Sequence, residues 1–310
     1  MDELIKNLGL IINATMVSTP PLLFAALGST FSERSGVVNI GIEGMMTIGA
    51  FTGAVAACFV NPWLAFFLAG VSGALFGLLH AIACISLNAD QTISGTAINF
   101  LAPGMALFLA KAIFDGSTDT PALDISQKLP KLFSDVFPVG SFANNVFSAY
   151  AGSYLMFVAV IIVWFVFYKT KLGLRIRAVG EHPKACDTLG INVYGIRYFC
   201  VILSGFLSGL GGACVTMATM NQFRPTAIVG QGFIAIAAVI FGKFTPQGAM
   251  LACILFGICN GIKTVASAGN LVSPNLISMI PYVVTIVVLI LFVGKSRVPA
   301  ANGKPYQKAR

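Results

Sequence analysis

Long apolar runs separated by short polar breaks dominate this chain. Nine can be drawn, at roughly 8–30, 39–60, 63–87, 93–113, 150–168, 196–220, 227–242, 246–268 and 275–293. Most reach the roughly 20 residues that the hydrocarbon core of a bilayer demands of a helix. Backbone polar groups in lipid must bond internally, and barrel strands would show short alternating segments instead. Each run therefore predicts a transmembrane helix. The predicted fold class is all-α: a polytopic integral membrane protein of about nine transmembrane helices, in a single domain over 1–310. The run at 227–242 is short for a span, so it either tilts little or sits beside a break.

The polar segments set the topology. Residues 169–195, KTKLGLRIRAVGEHPKACDTLGINVYG, carry Lys169, Lys171, Arg175, Arg177 and Lys184 against Glu181 and Asp187. The tail 295–310 carries Lys295, Arg297, Lys304, Lys308 and Arg310 with no acid. Basic flanks predict the cytoplasmic side for both. The loop 114–149 carries Asp115, Asp119, Asp124 and Asp135 against Lys128 and Lys131, which predicts the external side. Alternation between these anchors puts the N-terminus outside and the 32–35 turn inside.

Composition agrees. The 310 residues are 57% hydrophobic and 10% charged, far below the roughly 25% charge of soluble domains. The net charge of +8 does not indicate nucleic acid, because the cations sit in membrane-flanking loops rather than on one soluble face. Six of the seven cysteines lie in apolar runs and no CxxC occurs, which predicts neither a disulfide framework nor a metal site. MDELIKNLGLI lacks a basic n-region, so no cleaved signal peptide is expected. Glycine recurs at small-xxx-small spacings such as Gly70/Ala74, Ser204/Ser208 and Gly205/Gly209, where close helix packing is the simplest explanation. A short internal echo relates Glu43-Gly44-Met45-Met46 and Gly53 to Gln247-Gly248-Ala249-Met250 and Gly257; it fits an internal repeat or chance.

No catalytic constellation stands out. GxSxG, HExxH and P-loop patterns are missing from the sequence, so no catalytic residue is assigned and ATP is expected to bind elsewhere. Within SGVVNIGIEGMM, Asn39 and Glu43 interrupt an apolar run. An ionisable group in lipid is costly and is kept where it faces protein or water. Glu43 thus marks either a discontinuous helix beside a translocation path or a helix start where its charge suits the dipole. Asp90 or Thr92 is expected to cap the fourth helix. Gln91, Thr96 and Asn99 are candidates to line a polar cavity, and Asn99 needs a hydrogen-bond partner from a neighbouring helix or a ligand. His80 is expected to be a satisfied interhelical donor. Phe223 and Gln231, at the outer ends of the sixth and seventh runs, are candidates to contact cargo or a delivering protein; Arg224 is expected to be a solvated loop residue. In the basic segment, Pro183 suits a first helical turn and Gly190 a stop, so Pro183 to Leu189 predicts a short exposed helix. Such a capped, cation-rich helix fits a docking element better than a plain connector.

GLRIRAVGEHPKACDTLGINV resembles the coupling loop of ABC-importer permeases of the branched-chain amino acid, ribose and nucleoside type. FSERSGVVNIGIEGMM, ADQTISGTAINFLA, GQGFIAIAAVIFGKFTPQGA and the terminal ANGKPYQK are similar to the nucleoside-importing subgroup. The resemblance runs from about residue 20 to the end of the chain. It implies a type II-like ABC importer permease fold in a bacterial cytoplasmic membrane. It implies a longer paralogous permease, an ATP-binding subunit with two nucleotide-binding domains that holds ATP and Mg, and an extracytoplasmic substrate-binding lipoprotein. It also implies that Glu181, His182, Pro183, Ala185 and Gly190 belong to the element that meets the ATPase, although His-Pro stands at 182–183 where importers commonly have Ala-Ala. Ribose or another simple sugar stays open as cargo. The competing class is an ion-coupled secondary transporter with Glu43 as coupling carboxylate. A membrane scaffold fits worst, since nine Gly-rich spans exceed what an anchor needs.

Overall fold

The computed structural model describes residues 2–134, 136–138, 141–268, 283, 286–287 and 298–308. All but 283, 286 and 287 of the predicted 275–293 run lie outside them, as do Asp135, Lys295, Arg297 and Arg310. Among the described residues, seven helices are long and apolar enough to cross a bilayer. They are α1 (Asp2–Arg34), α2 (Ile42–Phe59), α3 (Pro62–Ala81, prolonged by a π-helical turn to Ser86) and α4 (Gln91–Ile113), and, after a short α5 (Phe142–Phe147), α6 (Ala151–Lys169). Then come two short helices, α7 (Lys171–Glu181) and α8 (Pro183–Thr188), and α9 (Val193–Cys214, prolonged by a π-helical turn to Met220). The short α10 (Gln231–Phe241) precedes α11 (Pro246–Ala268).

The run at 227–242 sits beside a break, one of its two expected alternatives: residues 221–230 are non-helical, and α10 at 11 residues is about 16 Å long, half a bilayer. In the run at 39–60, α2 begins at Ile42 after a short non-helical stretch. Of the predicted loops, 114–149 holds its own α5 and a two-residue pairing of β1 (Lys131–Leu132) with β2 (Ala149–Tyr150).

The bundle is centred on α9, whose small residues let three helices approach backbone to backbone. Gly205 and Gly209 lie against the Gly73 and Ala69 backbone of α3, and Gly212 against the Met46 carbonyl of α2. Gly211 lies against the Pro21 carbonyl of α1, while Ser204 meets Gly28. The predicted spacing Gly205/Gly209 therefore marks the α3 contact, where its partners are Gly73 and Gly77. On the other side of α1, Gly257 and Gly261 of α11 sit against Thr15, Thr19 and Ile11. The prolines inside α1 also have a structural answer. Pro20 cannot bond the Met16 carbonyl, and the Ser153 hydroxyl of α6 donates to that oxygen instead, at 2.5 Å.

Hydrogen bonds sort the connections onto two faces. At one, Arg34 Nε donates to the Phe244 carbonyl at 2.7 Å, so the end of α1 meets the α10–α11 turn. The Ala301 amide donates to the Gly180 carbonyl at 2.9 Å, bringing the tail to the same face. At the other face, Thr120, Leu123 and Leu129 donate backbone bonds to Phe223, Asn221 and Met217, tying the 114–149 loop over the far end of α9. The two basic segments thus share a face, opposite the acidic loop.

A side chain at Gly212 would collide with the Met46 carbonyl, whereas one at Gly104 of α4 meets nothing within 4 Å. Overpacking of this kind costs about 1–3 kcal/mol or more. Gly212→Leu is expected to lower the thermal stability of the detergent-purified protein sharply, and Gly104→Leu to leave it near wild type. Equal melting temperatures would contradict the packing.

Candidate functional site

The interruption at 35–41 is the first candidate. Non-helical backbone at membrane depth survives only where protein satisfies it. The Ser32 hydroxyl donates to the Val37 carbonyl at 2.7 Å. Gln91 Oε1 accepts from the Val38 amide at 2.7 Å. His80 Nε2 lies 3.0 Å from the Val38 carbonyl, so it must carry the proton there, which leaves Nδ1 to accept from Ser94 at 2.9 Å. Asn99 donates to the Ile40 carbonyl at 3.0 Å and accepts from the Gly44 amide at 2.8 Å. Gly95 and Gly41 allow α4 to lie directly against this strand-like stretch. The polar residues that interrupt α3 and α4 therefore clamp one unwound segment.

Asn39 stands at its centre, fully buried, and donates to the Ser204 hydroxyl of α9 at 3.0 Å. Its Oδ1 is buried and has no hydrogen-bond partner among the described residues.

Glu43 closes the arrangement. It lies in the first turn of α2, yet its carboxylate reaches across to the start of α10, accepting from the Gly230 amide at 2.5 Å and the Gly232 amide at 2.8 Å. The first N–H groups of a helix have no intrahelical acceptor and carry the positive end of its dipole. One carboxylate thus joins the N-termini of two broken crossings, and Gly232 lets their backbones touch. The echo that sequence alone left open falls at matching positions: Glu43 and Gln247 are each the second residue of their helix, and Gly53 and Gly257 each face a neighbouring helix.

Gln231, expected at the outer end of a span, instead opens the half-helix α10 beside Glu43, where its amide donates to the Ala227 carbonyl at 3.1 Å. It also lines a cavity of about 240 Å³ between α1, α9, α10 and α11, together with Ser18, Thr219, Asn260 and Lys263. The π-helical end of α9 forms part of its wall. Such turns widen a helix locally and recur at functional sites. Phe223 is enclosed at 1% exposure, edge-on to Phe51 at 5.3 Å, and so presents no ring to a delivering protein. Arg224 is half exposed and pairs with Asp119 at 3.6 Å.

The second candidate, at 169–195, adjoins the start of the first: Gly180 of α7 lies against the Arg34 carbonyl and the Gly36 amide. Thr170 caps α7 by accepting from the Gly173 amide at 3.2 Å, and α7 buries Ile176 and Val179 while Lys171 and Arg175 stay exposed. α8 then opens with Pro183 and ends before Gly190, whose φ of 76° favours glycine. The expected helix is present. Cys186 anchors it in the core, where burial pushes the thiol above its ordinary pKa and keeps it protonated. Glu181, His182, Lys184 and Ala185 are exposed, Pro183 is half-buried, and Leu189 is 79% exposed. α8 is thus seated by the buried Cys186 and leaves Lys184 and Leu189 exposed.

Sequence reasoning missed Gly230, Gly232, Ser204 and the tail as partners of these residues. The only signal was composition: a Gly-Gln-Gly run and a polar tail holding Asn302 and Tyr306.

The family profile described as branched-chain amino acid transport system / permease component matches residues 11–289. The chain is 44% identical to the guanosine ABC transporter permease protein NupQ of Bacillus subtilis, over 99% of both chains. It is 40% identical to the nucleoside ABC transporter permease protein NupC of Lactococcus lactis subsp. cremoris, over 99% of this chain and 100% of the other. It is also 26% identical to a second B. subtilis guanosine ABC transporter permease protein, NupP, over 92% of this chain and 81% of that one.

Glu43→Ala leaves two helix-terminal amides without an acceptor, and each unpaired buried group costs roughly 1–3 kcal/mol. Glu43→Ala is expected to lower the melting temperature of the purified protein clearly more than Glu43→Gln, which keeps an acceptor oxygen. A melting temperature unchanged by Glu43→Ala would dissociate Glu43 from α10.

Proposed function

The chain belongs to the family of branched-chain amino acid transport system permease components, and on that footing we propose that it is one of two permease subunits of an ATP-driven importer for nucleosides. The observation that carries the reading is near-end-to-end identity of 44% and 40% to relatives named for guanosine and nucleoside transport. Similarity to both B. subtilis permeases supports pairing with a longer paralogous partner. ATP and Mg bind to a separate ATP-binding subunit with two nucleotide-binding domains, and an extracytoplasmic lipoprotein delivers the cargo. The basic face that joins α7, α8 and the tail lies toward the cytoplasm, following the positive-inside preference. There α8 meets the ATPase through His182, Pro183, Lys184, Ala185 and Leu189.

Within the membrane, the broken crossings supply the moving parts. Asn39, Gln91 and Asn99 hold the unwound segment, while Glu43 and Gln231 sit where two half-helices meet. A joint made of two hydrogen bonds can open and re-form with a small change in geometry, which suits alternating access. Both oxygens of Glu43 are taken up by backbone amides at the start of α10, which gives the carboxylate a helix-joining role in this reading.

Proteoliposomes holding this chain, its paralogue, the ATPase and the lipoprotein are expected to accumulate guanosine only with ATP, and Pro183→Leu is expected to abolish uptake while leaving the subunit in the membrane. Full uptake without the ATPase, collapsing with an ion gradient, would refute the importer reading. Uptake of ribose and not of guanosine would reassign the cargo.

A further inference from the structure

We propose that the C-terminal segment 298–308 forms part of the ATPase-docking surface, clasping α8 from below and adding its own cations to it. This rests on the reading that a separate ATPase meets α8.

The segment is fixed by contacts with four elements. The Ala301 amide donates to the Gly180 carbonyl of α7 at 2.9 Å, and the Ala300 amide to Glu181 Oε2 at 3.2 Å. The Asn302 amide donates to the Glu33 carboxylate at the end of α1. Arg197 Nη1 and the Tyr194 hydroxyl of α9 donate to the carbonyls of Lys304 and Tyr306, both at about 3.3 and 3.2 Å respectively. Lys308 pairs with Asp187 of α8 at 3.8 Å. The Tyr306 ring is buried against Tyr194, with centroids 5.5 Å apart, and shares an apolar cluster with Val179, Cys186 and Val193. Cys186 is the anchor of α8, so Tyr306 packs against the residue that seats the helix.

Arg197 shows how far the bundle relies on the segment. The residue is 2% exposed, and its guanidinium meets the Lys304 carbonyl and the Tyr306 ring face, 5.9 Å away. A buried guanidinium needs acceptors, and the tail supplies one.

The exposed side of the clasp points to its partner. A cleft of about 530 Å³ opens between α8 and the tail, walled by His182, Lys184 and Ala185 on one side and Lys304, Pro305 and Gln307 on the other. The two carboxylates of the neighbourhood, Glu181 and Asp187, are engaged by the tail through the Ala300 amide and Lys308. Lys184 and Lys304 remain exposed and outnumber Glu181, the one carboxylate that lines the cleft, so the rim carries a net positive charge around an apolar floor. The complementary occupant is an acidic-rimmed surface of the ATP-binding subunit, seated on α8 and the tail together.

The test is co-purification of the co-expressed ATP-binding subunit with the permease pair. Lys304 serves the clasp through its backbone carbonyl, so Lys304→Glu changes the docking charge and leaves the clasp intact. It is expected to weaken ATPase retention roughly tenfold, with the defect shrinking as salt screens the pair. Tyr306→Ala, which unseats the clasp, is expected to weaken it at every salt concentration. Pro183→Leu provides the reference loss. If Pro183→Leu releases the ATPase while Lys304→Glu and Tyr306→Ala retain it as wild type does, the tail is not part of the surface and α8 docking stands alone. If Pro183→Leu also retains it, the reading of α8 fails and takes the tail with it. Should Tyr306→Ala not fold, the salt-dependent response of Lys304→Glu decides.

Discussion

The close approach of α9 to three other helices is the constraint on which the rest depends. Water does not drive helices together inside a bilayer, since lipid tails are as apolar as side chains. Association has to come from packing and from polar contacts made when backbones come near. The row Ser204, Gly205, Ser208, Gly209, Gly211 and Gly212 gives α9 a surface of almost bare backbone. α1, α2 and α3 settle onto it through Gly28, Gly49 and Gly73. Only because these axes are so close can Asn39 reach the Ser204 hydroxyl, and only then is the unwound segment held against the bundle centre.

From this follows the use of polar residues in the membrane. Gln91, His80 and Asn99 spend their hydrogen bonds on the backbone of residues 38–44. The helix that would ordinarily satisfy those groups has been given up, and α3 and α4 compensate for it. What is gained is a buried helix start at Ile42, where Glu43, itself half-buried, joins α2 to α10.

The face that carries α7, α8 and the tail is linked to this joint through short, rigid routes. Gly180 of α7 touches the Arg34 carbonyl, and Arg34 in turn holds the turn that ends α10. The end of α1, α7 and the end of α10 therefore form one connected assembly.

Much of this was legible in the chain alone. Hydrophobic runs gave the spans because lipid forces each one to satisfy its own backbone, and that requirement depends on local sequence. Charge placed the two basic segments on a common face for a similar reason, since it acts segment by segment. Pro183 and Gly190 bounded α8 because capping chemistry is local. The half-helix α10 was not legible, because an apolar run of 16 residues reads the same whether it is helical from its start or from Gln231. Nor were the partners of Glu43, Asn39 and Asn99, which lie 187, 165 and 55 residues away in the chain. The tail reads in sequence only as a basic segment, and the fold alone places Tyr306 in one apolar cluster with Cys186 of α8. Sequence by itself determined which segments leave water and where the locally capped α8 begins and ends. Tertiary structure decided which polar groups meet, because a hydrogen bond is set by the approach of two backbones and that approach is fixed only when the small residues of α9 have found their neighbours.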